Sequence, residues 1–405
     1  MTDVDAGQFA TLLHAYGRAT DTPAHVAALA GGDAAARSAA LEHLWSAVIH
    51  QGTPWTATPP VAVAVAALIG DPRLSGAANA DLRANLLDFL AAVAEAGQAY
   101  RDLDHLAAPA DVDVDAALSA LLAAGDEDEV WADEALANAL YARAILGCRD
   151  VVPAMLAVAT SSLSDPESTV RSAAAHAVSA CCAVLASPSE AETLGQRLDT
   201  LGQRRDALGQ RLDTFGQRLD ALAAGAGPDE RAALALAIGE LGLEPRAYLD
   251  DPHPGVRACA ALAPALADDP TATDEILAAL ADPAATDNWF THRPPQLRTR
   301  IRFALVAAAV ARVDDPDRLL PAGLAIAPIA SRYSVSDDWG PLLLALFAGR
   351  ASGPLSPAQR RYLGALVDNV DLWDPSHGNA HVVFREAGLP YDRAACRTLS
   401  TAAHP

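Results

Sequence analysis

The chain reads as an all-α protein built from repeated helical units. Three observations predict this. One helix-start signal recurs with the same sequel, and apolar residues fall at helical rather than strand spacing. Alanine dominates the apolar content, while aromatics make up only 5% of the chain. Strand signals are nearly absent, with no sustained alternation of β-branched residues and no Asn-Gly or Asp-Gly turn.

The helices can be placed in order. Asp33 is the predicted N-cap of a helix reaching His50. Along it, Leu41, Leu44, Trp45, Val48 and Ile49 form one stripe at i, i+3, i+4, i+7 and i+8, which assigns Trp45 to the core. Leu82, Leu86, Phe89, Leu90 and Val93 repeat the stripe in a helix near 80–99. Segments 61–69 and 301–313 are apolar nearly all round, as suits inner helices flanked on several sides. Ser356 followed by Pro357 opens another helix by cap and first-turn proline.

The recurring signal is Asp165-Pro166-Glu167-Ser168-Thr169-Val170-Arg171, again as Asp251-Pro252-His253-Pro254-Gly255-Val256-Arg257, and more loosely Gln296-Leu297-Arg298-Thr299-Arg300-Ile301-Arg302. Asp is expected to cap orphan N–H groups, Pro has no N–H to lose at the first helical position, and the alanines that follow let helices lie close. The arginine slot extends outward. Arg257 and Arg302 are 45 residues apart, Arg171 and Arg257 are 86 apart, and Arg37 and Arg83 are 46 apart. Trp131 fills the slot between Arg83 and Arg171. A period of about 40–47 is that of HEAT and armadillo units. The Asp-Pro-x-x-x-Val-Arg pattern resembles HEAT repeats. That resemblance implies a right-handed α-solenoid of helical pairs in which Asp and Arg ladder between neighbouring units. It implies a single domain over residues 1–405, since each unit buries its apolar face only against the next.

One segment departs from the pattern. Four near-identical heptads, opening at Leu194, Leu201, Leu208 and Phe215, form an insert at about 190–226. Leu194, Leu198, Leu201, Leu208, Leu212, Phe215, Leu219 and Leu222 alternate by fours and threes as in a coiled-coil seam, interrupted by Arg205. A glycine in every heptad costs about 1 kcal/mol relative to Ala, so the helix needs a partner surface. That surface is either the protein body, with the heptads a tolerated expansion, or a second copy associating from Leu194 to Leu222.

The net charge of −22, with no lysine in the chain, excludes whole classes of partner. Such a surface repels phosphate backbones and anionic membranes, so neither nucleic acid nor membrane is expected. The start of the chain lacks a basic, apolar secretory signal, and the uninterrupted apolar runs fall short of a membrane span, which leads to a cytoplasmic expectation. Cys148, Cys181, Cys182, Cys259 and Cys396 show no Cys-x-x-Cys spacing and read as buried free thiols.

No phosphate-binding, dinucleotide, zinc-protease, hydrolase or EF-hand motif is present. Acid pairs such as Asp268-Asp269, Asp314-Asp315 and Asp337-Asp338, and the run Asp126-Glu127-Asp128-Glu129, sit at helix junctions where the helix dipole favours them. The histidines are scattered, with no pair at metal-ligand spacing beside a carboxylate, so neither metal nor cofactor is expected.

Three loops stand above this background as binding candidates. The first carries His50 and Trp55 between two apolar helices; Trp55 either faces a ligand or folds over the helix ends. The second carries Trp289, His292 and Arg293 ahead of Arg298, Arg300 and Arg302, and the third carries Asp337 and Trp339. Loops of consecutive repeat units emerge on one face, which makes the second and third neighbours in space. The expected function is non-enzymatic: a scaffold or adaptor whose concave surface binds another protein, a basic one being favoured by the acidity. The alternatives are a lyase- or glycosylase-like enzyme with a pocket near Trp289, His292 and Asp337, and toxin immunity.

Overall fold

A computed structural model describes residues 6–98, 103, 106, 113–125, 132–186, 194–348, 354–374 and 379–402; for 6 and 194–208 it describes the backbone alone. The protein is all-α, with 73% of it helical. Contacts divide the chain into two compact units, Met1–Ala226 and Gly227–Pro405.

The first unit opens with α1 (Ala6–Phe9), α2 (Thr22–Gly31), α3 (Ala34–His43) and α4 (Thr58–Ile69). There follow α5 (Ala80–Gly97), α6 (Val114–Ala124), α7 (Glu134–Asp150), α8 (Val152–Ser162), α9 (Ser168–Ala186) and α10 (Leu194–Ala223). Helices α5 and α9 form its centre, with α4, α7 and α8 packed around them. The predicted stripe Leu82, Leu86, Phe89, Leu90 and Val93 is buried along α5. On α9, buried His176 joins Glu95 of α5 at 3.1 Å. Helix α9 is also long and apolar enough to cross a membrane, but 67% of that stretch is buried within the fold, as a core helix requires.

The helix predicted to reach His50 ends earlier. Asp33 caps it as expected, accepting from the Ala36 amide at 2.9 Å. Past His43 the backbone widens into a π-helical turn, Leu44–Val48, and Ile49 and His50 become strand β3, paired with β4 (Thr53–Pro54). A hairpin of the same size, β1 (Leu13–His14) and β2 (Gly17–Arg18), lies upstream. The β3–β4 turn places both central residues at positive φ, Gln51 at 52° and Gly52 at 83°. This is the backbone a two-residue hairpin loop demands, reached with Gln-Gly in place of the expected Asn-Gly. Trp45 is half-buried, its ring edge-on to Phe89 at 6.0 Å.

The heptads form one unbroken 30-residue helix, α10. Over its described side chains the predicted stripe faces inward: Leu219 is buried, and Leu212, Phe215 and Leu222 are half-buried. Trp131 and the 126–129 acid run lie outside the described residues.

The second unit contains α11 (Pro228–Glu240), α12 (Pro254–Ala261), α13 (Pro270–Leu280), α14 (Pro283–Thr286) and α15 (Ile301–Arg312). It continues with α16 (Pro316–Ile326), α17 (Trp339–Leu346), α18 (Pro357–Asp368), α19 (Ala380–Glu386) and α20 (Arg393–Thr401). Most helices pack on a neighbour and again on a helix two along: α13 on α15, α15 on α17, α16 on α18. One acid of each predicted pair caps a helix, Asp269 for α13, Asp315 for α16 and Asp338 for α17. Ser356 and Gln359 form a capping box on α18.

The two Asp-Pro copies fold into the same joint, atom for atom. Neither Asp is the N-cap expected of it; each lies just ahead of its helix and accepts from the amide two residues on, Glu167 or His253. The slot arginine turns back, Arg171 to the carbonyls of Asp165 and Pro166, Arg257 to those of Asp251 and Pro252. Each carboxylate then receives a bidentate arginine from an earlier helix. Arg83 Nε and Nη2 reach Asp165 at 3.1 and 3.0 Å, and Arg231 Nε and Nη2 reach Asp251 at 2.8 and 2.9 Å. Such forked pairs are the strong class of charge-assisted hydrogen bond. In the looser third copy, buried Arg302 instead joins Asp287 and Asp338.

Removing one partner of a buried pair strands the other charge, so Arg83→Ala should cost roughly 3 kcal/mol in urea denaturation. Arg143→Ala, which breaks an exposed pair with Asp115, should cost less than about 0.5 kcal/mol.

Candidate functional site

Both hairpins converge on one histidine-rich corner of the first unit. Thr56 Oγ1 accepts from the Leu13 amide at 2.8 Å, the Ala57 amide donates to the Leu13 carbonyl, and the Ala15 amide donates to the Ala47 carbonyl. These bonds sew the β1–β2 hairpin to the π-helical turn and the loop after β4. The stitching brings His14 beside Asp21 and His43. His14 Nε2 lies 3.0 Å from Asp21 Oδ1, and His43 Nδ1 lies 3.9 Å from Asp21 Oδ2. Ligand atoms of the three residues all fall within 4.8 Å of one another. His14 and His43 are 4% and 8% exposed. His25 stacks on His43 with ring centroids 4.2 Å apart. This corrects the expectation of scattered histidines without a carboxylate between them. Positions 14, 21 and 43 carry no spacing signature, because the fold and not a helix repeat brings them together.

The hydrogen bonds assign the His14 ring proton. His14 Nδ1 accepts from the Tyr16 amide at 3.1 Å, so the neutral ring carries its proton on Nε2 and donates it to Asp21. His43 Nε2 meets the buried Thr22 hydroxyl at 2.9 Å. Burial, reinforced by His25 and opposed by Asp21, lowers the His43 pKa to about 4. Burial acts to raise the Asp21 pKa, but the His14 hydrogen bond and the fields of His43 and His14 outweigh it and leave it below the ordinary value.

His50 and Trp55 border this corner. His50 donates from Nδ1 to the Ser46 carbonyl at 2.8 Å, and its ring meets the exposed Tyr16 edge-on at 5.8 Å. Trp55 is half-buried, its amide donating to Thr58 Oγ1, which in turn donates to the Val48 carbonyl. The loop is thus anchored by Thr58.

The second and third loops meet, but through other residues than those first singled out. Arg302 lies between them, its guanidinium joined to Asp287 and, at 3.2 Å, to Asp338. Burial raises the Asp338 pKa despite the opposing hydrogen bonds and the Arg302 charge. Trp339 is fully buried: its indole donates to the Ser331 carbonyl, and Tyr362 donates to the Trp339 carbonyl. It is a core residue and offers no face to a ligand. A β-carbon on Gly340 would sit 2.0 Å from the Val335 carbonyl oxygen, so only glycine lets the loop close here. His292 is exposed, its amide donating to Asp229 at 2.6 Å. Arg293 and Asp337 are exposed and Trp289 is half-buried. All five cysteines are free and buried, and burial pushes the Cys148 and Cys181 thiols up to about 12, which keeps them unreactive.

No family model, no curated protein and no solved structure matches the chain.

The histidine corner makes stability depend on pH. The unfolded chain protonates His43 near pH 6.5, whereas the folded protein resists until about pH 4. The unfolded state therefore binds the extra proton first as pH falls, and stability is lost across that window. The loss reaches at most about 3 kcal/mol. Urea midpoints measured from pH 7 to pH 4 should fall accordingly, and His43→Gln should flatten the decline.

Proposed function

We propose that this protein is a non-enzymatic binding protein, a HEAT-like α-solenoid whose surface engages another protein. The repeated Asp-Pro joint supports the HEAT-like reading. Two sequence copies 86 residues apart take the same hydrogen bonds on the same atoms, with the forked arginine 82 residues upstream in one and 20 in the other. Packing of helices on neighbours two along supports stacked pairs.

The observation that favours protein binding is an apolar display beside the third loop. Ile329, Tyr333 and Val370 are 40%, 72% and 65% exposed. Their turns are fastened together: Asn369 donates to the carbonyls of Ala327 and Ala330, and Arg332 pairs with Asp371 and Asp374. Large apolar side chains held out on a rigid support suit a protein partner, and tyrosine is prominent among binding hot spots. The net charge of −22 favours a partner with a basic surface and disfavours nucleic acid. This reading concerns binding alone; His292, Arg293 and Asp337 contribute solvent-facing polar groups to it.

Affinity capture from native cytoplasm, followed by titration of the purified partner, tests the proposal. Tyr333→Ala combined with Val370→Asp should weaken the partner about tenfold or more, the scale of a hot-spot loss. Unchanged affinity, or a partner that binds elsewhere, would remove this surface from the account.

The heptad helix is proposed as a tolerated expansion, docked on its own unit in part through Arg218, which donates to Ser164. Deleting residues 201–221 joins Thr200 to Leu222 and turns the apolar face only about 20° per heptad. Light scattering should show the same oligomeric state before and after; loss of a dimer would make the helix a self-association arm.

A further inference from the structure

In the His14, Asp21 and His43 corner one ring nitrogen faces the carboxylate without bonding to it. His14 uses both ring nitrogens, on the Tyr16 amide and on Asp21, and His43 uses Nε2 on Thr22. His43 Nδ1 is left 3.9 Å from Asp21 Oδ2, too far for a hydrogen bond, in a ring that is 8% exposed and held flat by His25. We propose that His14 Nε2, His43 Nδ1 and an Asp21 carboxylate oxygen form a binding site for one divalent transition-metal ion.

The spacing suits such an ion. Bonds of about 2.0–2.1 Å in a tetrahedral site set ligand atoms about 3.3 Å apart. His14 Nε2 lies 3.0 Å from Asp21 Oδ1 and His43 Nδ1 lies 3.9 Å from Oδ2, and one ligand atom from each of the three residues falls within 4.8 Å of the others, so a small closure about an ion brings the set to that figure. Two imidazoles and one carboxylate select zinc and its transition-metal neighbours, whereas calcium and magnesium take oxygen ligands. Thr22 serves as the outer partner that metal-bound histidines require: with the proton on His43 Nε2 donated to its hydroxyl, the Nδ1 lone pair is free. On His14 the ion takes the place of the proton shared with Asp21. The ring keeps one proton by carrying it on Nδ1, and the Tyr16 amide, on a residue 67% exposed, turns to water. Three protein ligands leave a coordination position open, and the 55% exposed Asp21 side chain places it toward solvent. The ion would cross-link the β1–β2 hairpin, the start of α2 and the end of α3.

Zinc titration by calorimetry and cobalt absorption spectroscopy on the full chain test this. The expected result is one equivalent bound, a visible cobalt band of tetrahedral type that zinc abolishes, and a higher melting temperature with zinc. Asp21→Asn and His43→Gln should abolish the band. Thr22→Val should weaken zinc about 10–100-fold, as loss of an outer-shell partner does. His381→Gln, at an exposed position of α19, should retain it. Asp21 is more than half exposed, so its variant stays folded and keeps the test decisive if His43→Gln does not fold. Absence of a cobalt band in the parent chain, or zinc binding undiminished by Asp21→Asn, would overturn the site.

Discussion

The arginine–aspartate joint at each Asp-Pro turn is the interaction on which the rest of the structure depends. It acts at three levels at once. The aspartate orders the entry to its own helix by accepting a local amide. The slot arginine clamps the carbonyls of the same turn. A second arginine, from an earlier helix, reaches the carboxylate in forked geometry and sets the distance between helices. Arg83 adds the carbonyls of Leu74 and Gly76 to its contacts, so one buried guanidinium organises α5, the turn before it and the start of α9. A buried ion pair adds little net stability once desolvation is counted, but it penalises every arrangement that leaves one partner alone. With alanine and glycine lining so many helix surfaces, apolar packing alone specifies register weakly. The joints supply that register.

The histidine corner has the opposite origin. Its residues come from a hairpin, the start of one helix and the end of another, and only the strand-like stitching between the hairpin and the loop before α4 brings them together. The π-helical turn begins at the residue after His43, and such turns recur at functional sites. Here two buried imidazoles and a partly exposed carboxylate are held by bonds that also place the neutral His14 ring's proton on Nε2.

Much of the fold was legible in the sequence, because helix caps and apolar stripes are local signals. Asp33, Ser356 and the stripe from Leu82 to Val93 behave as their spacing predicts. The acid pairs, expected at helix junctions, each place one carboxylate on a helix N-terminus. What the sequence hides is non-local. The hairpins escaped because their strands are two residues long and the β3–β4 turn uses Gln51, a residue with no special tolerance for positive φ. The His14, Asp21 and His43 cluster escaped because no regular element relates 14, 21 and 43. Trp339 misled for a related reason: a tryptophan beside acidic residues suggests an exposed loop, yet its indole finds the Ser331 carbonyl and the ring closes the core. The second and third loops do lie together, joined through Asp287 and Asp338. The residue that joins them, Arg302, was the one assigned to the ladder.

Paired double-mutant cycles on Arg83 with Asp165 and on Arg231 with Asp251 test the shared joint most directly, by urea denaturation of each single and double alanine variant. If both copies are the same structural device, the two cycles should give coupling energies of the same sign and similar size, each at least about 1 kcal/mol. Additivity within about 0.3–0.5 kcal/mol at either pair would contradict it, since residues that hold one joint together cannot behave as independent sites.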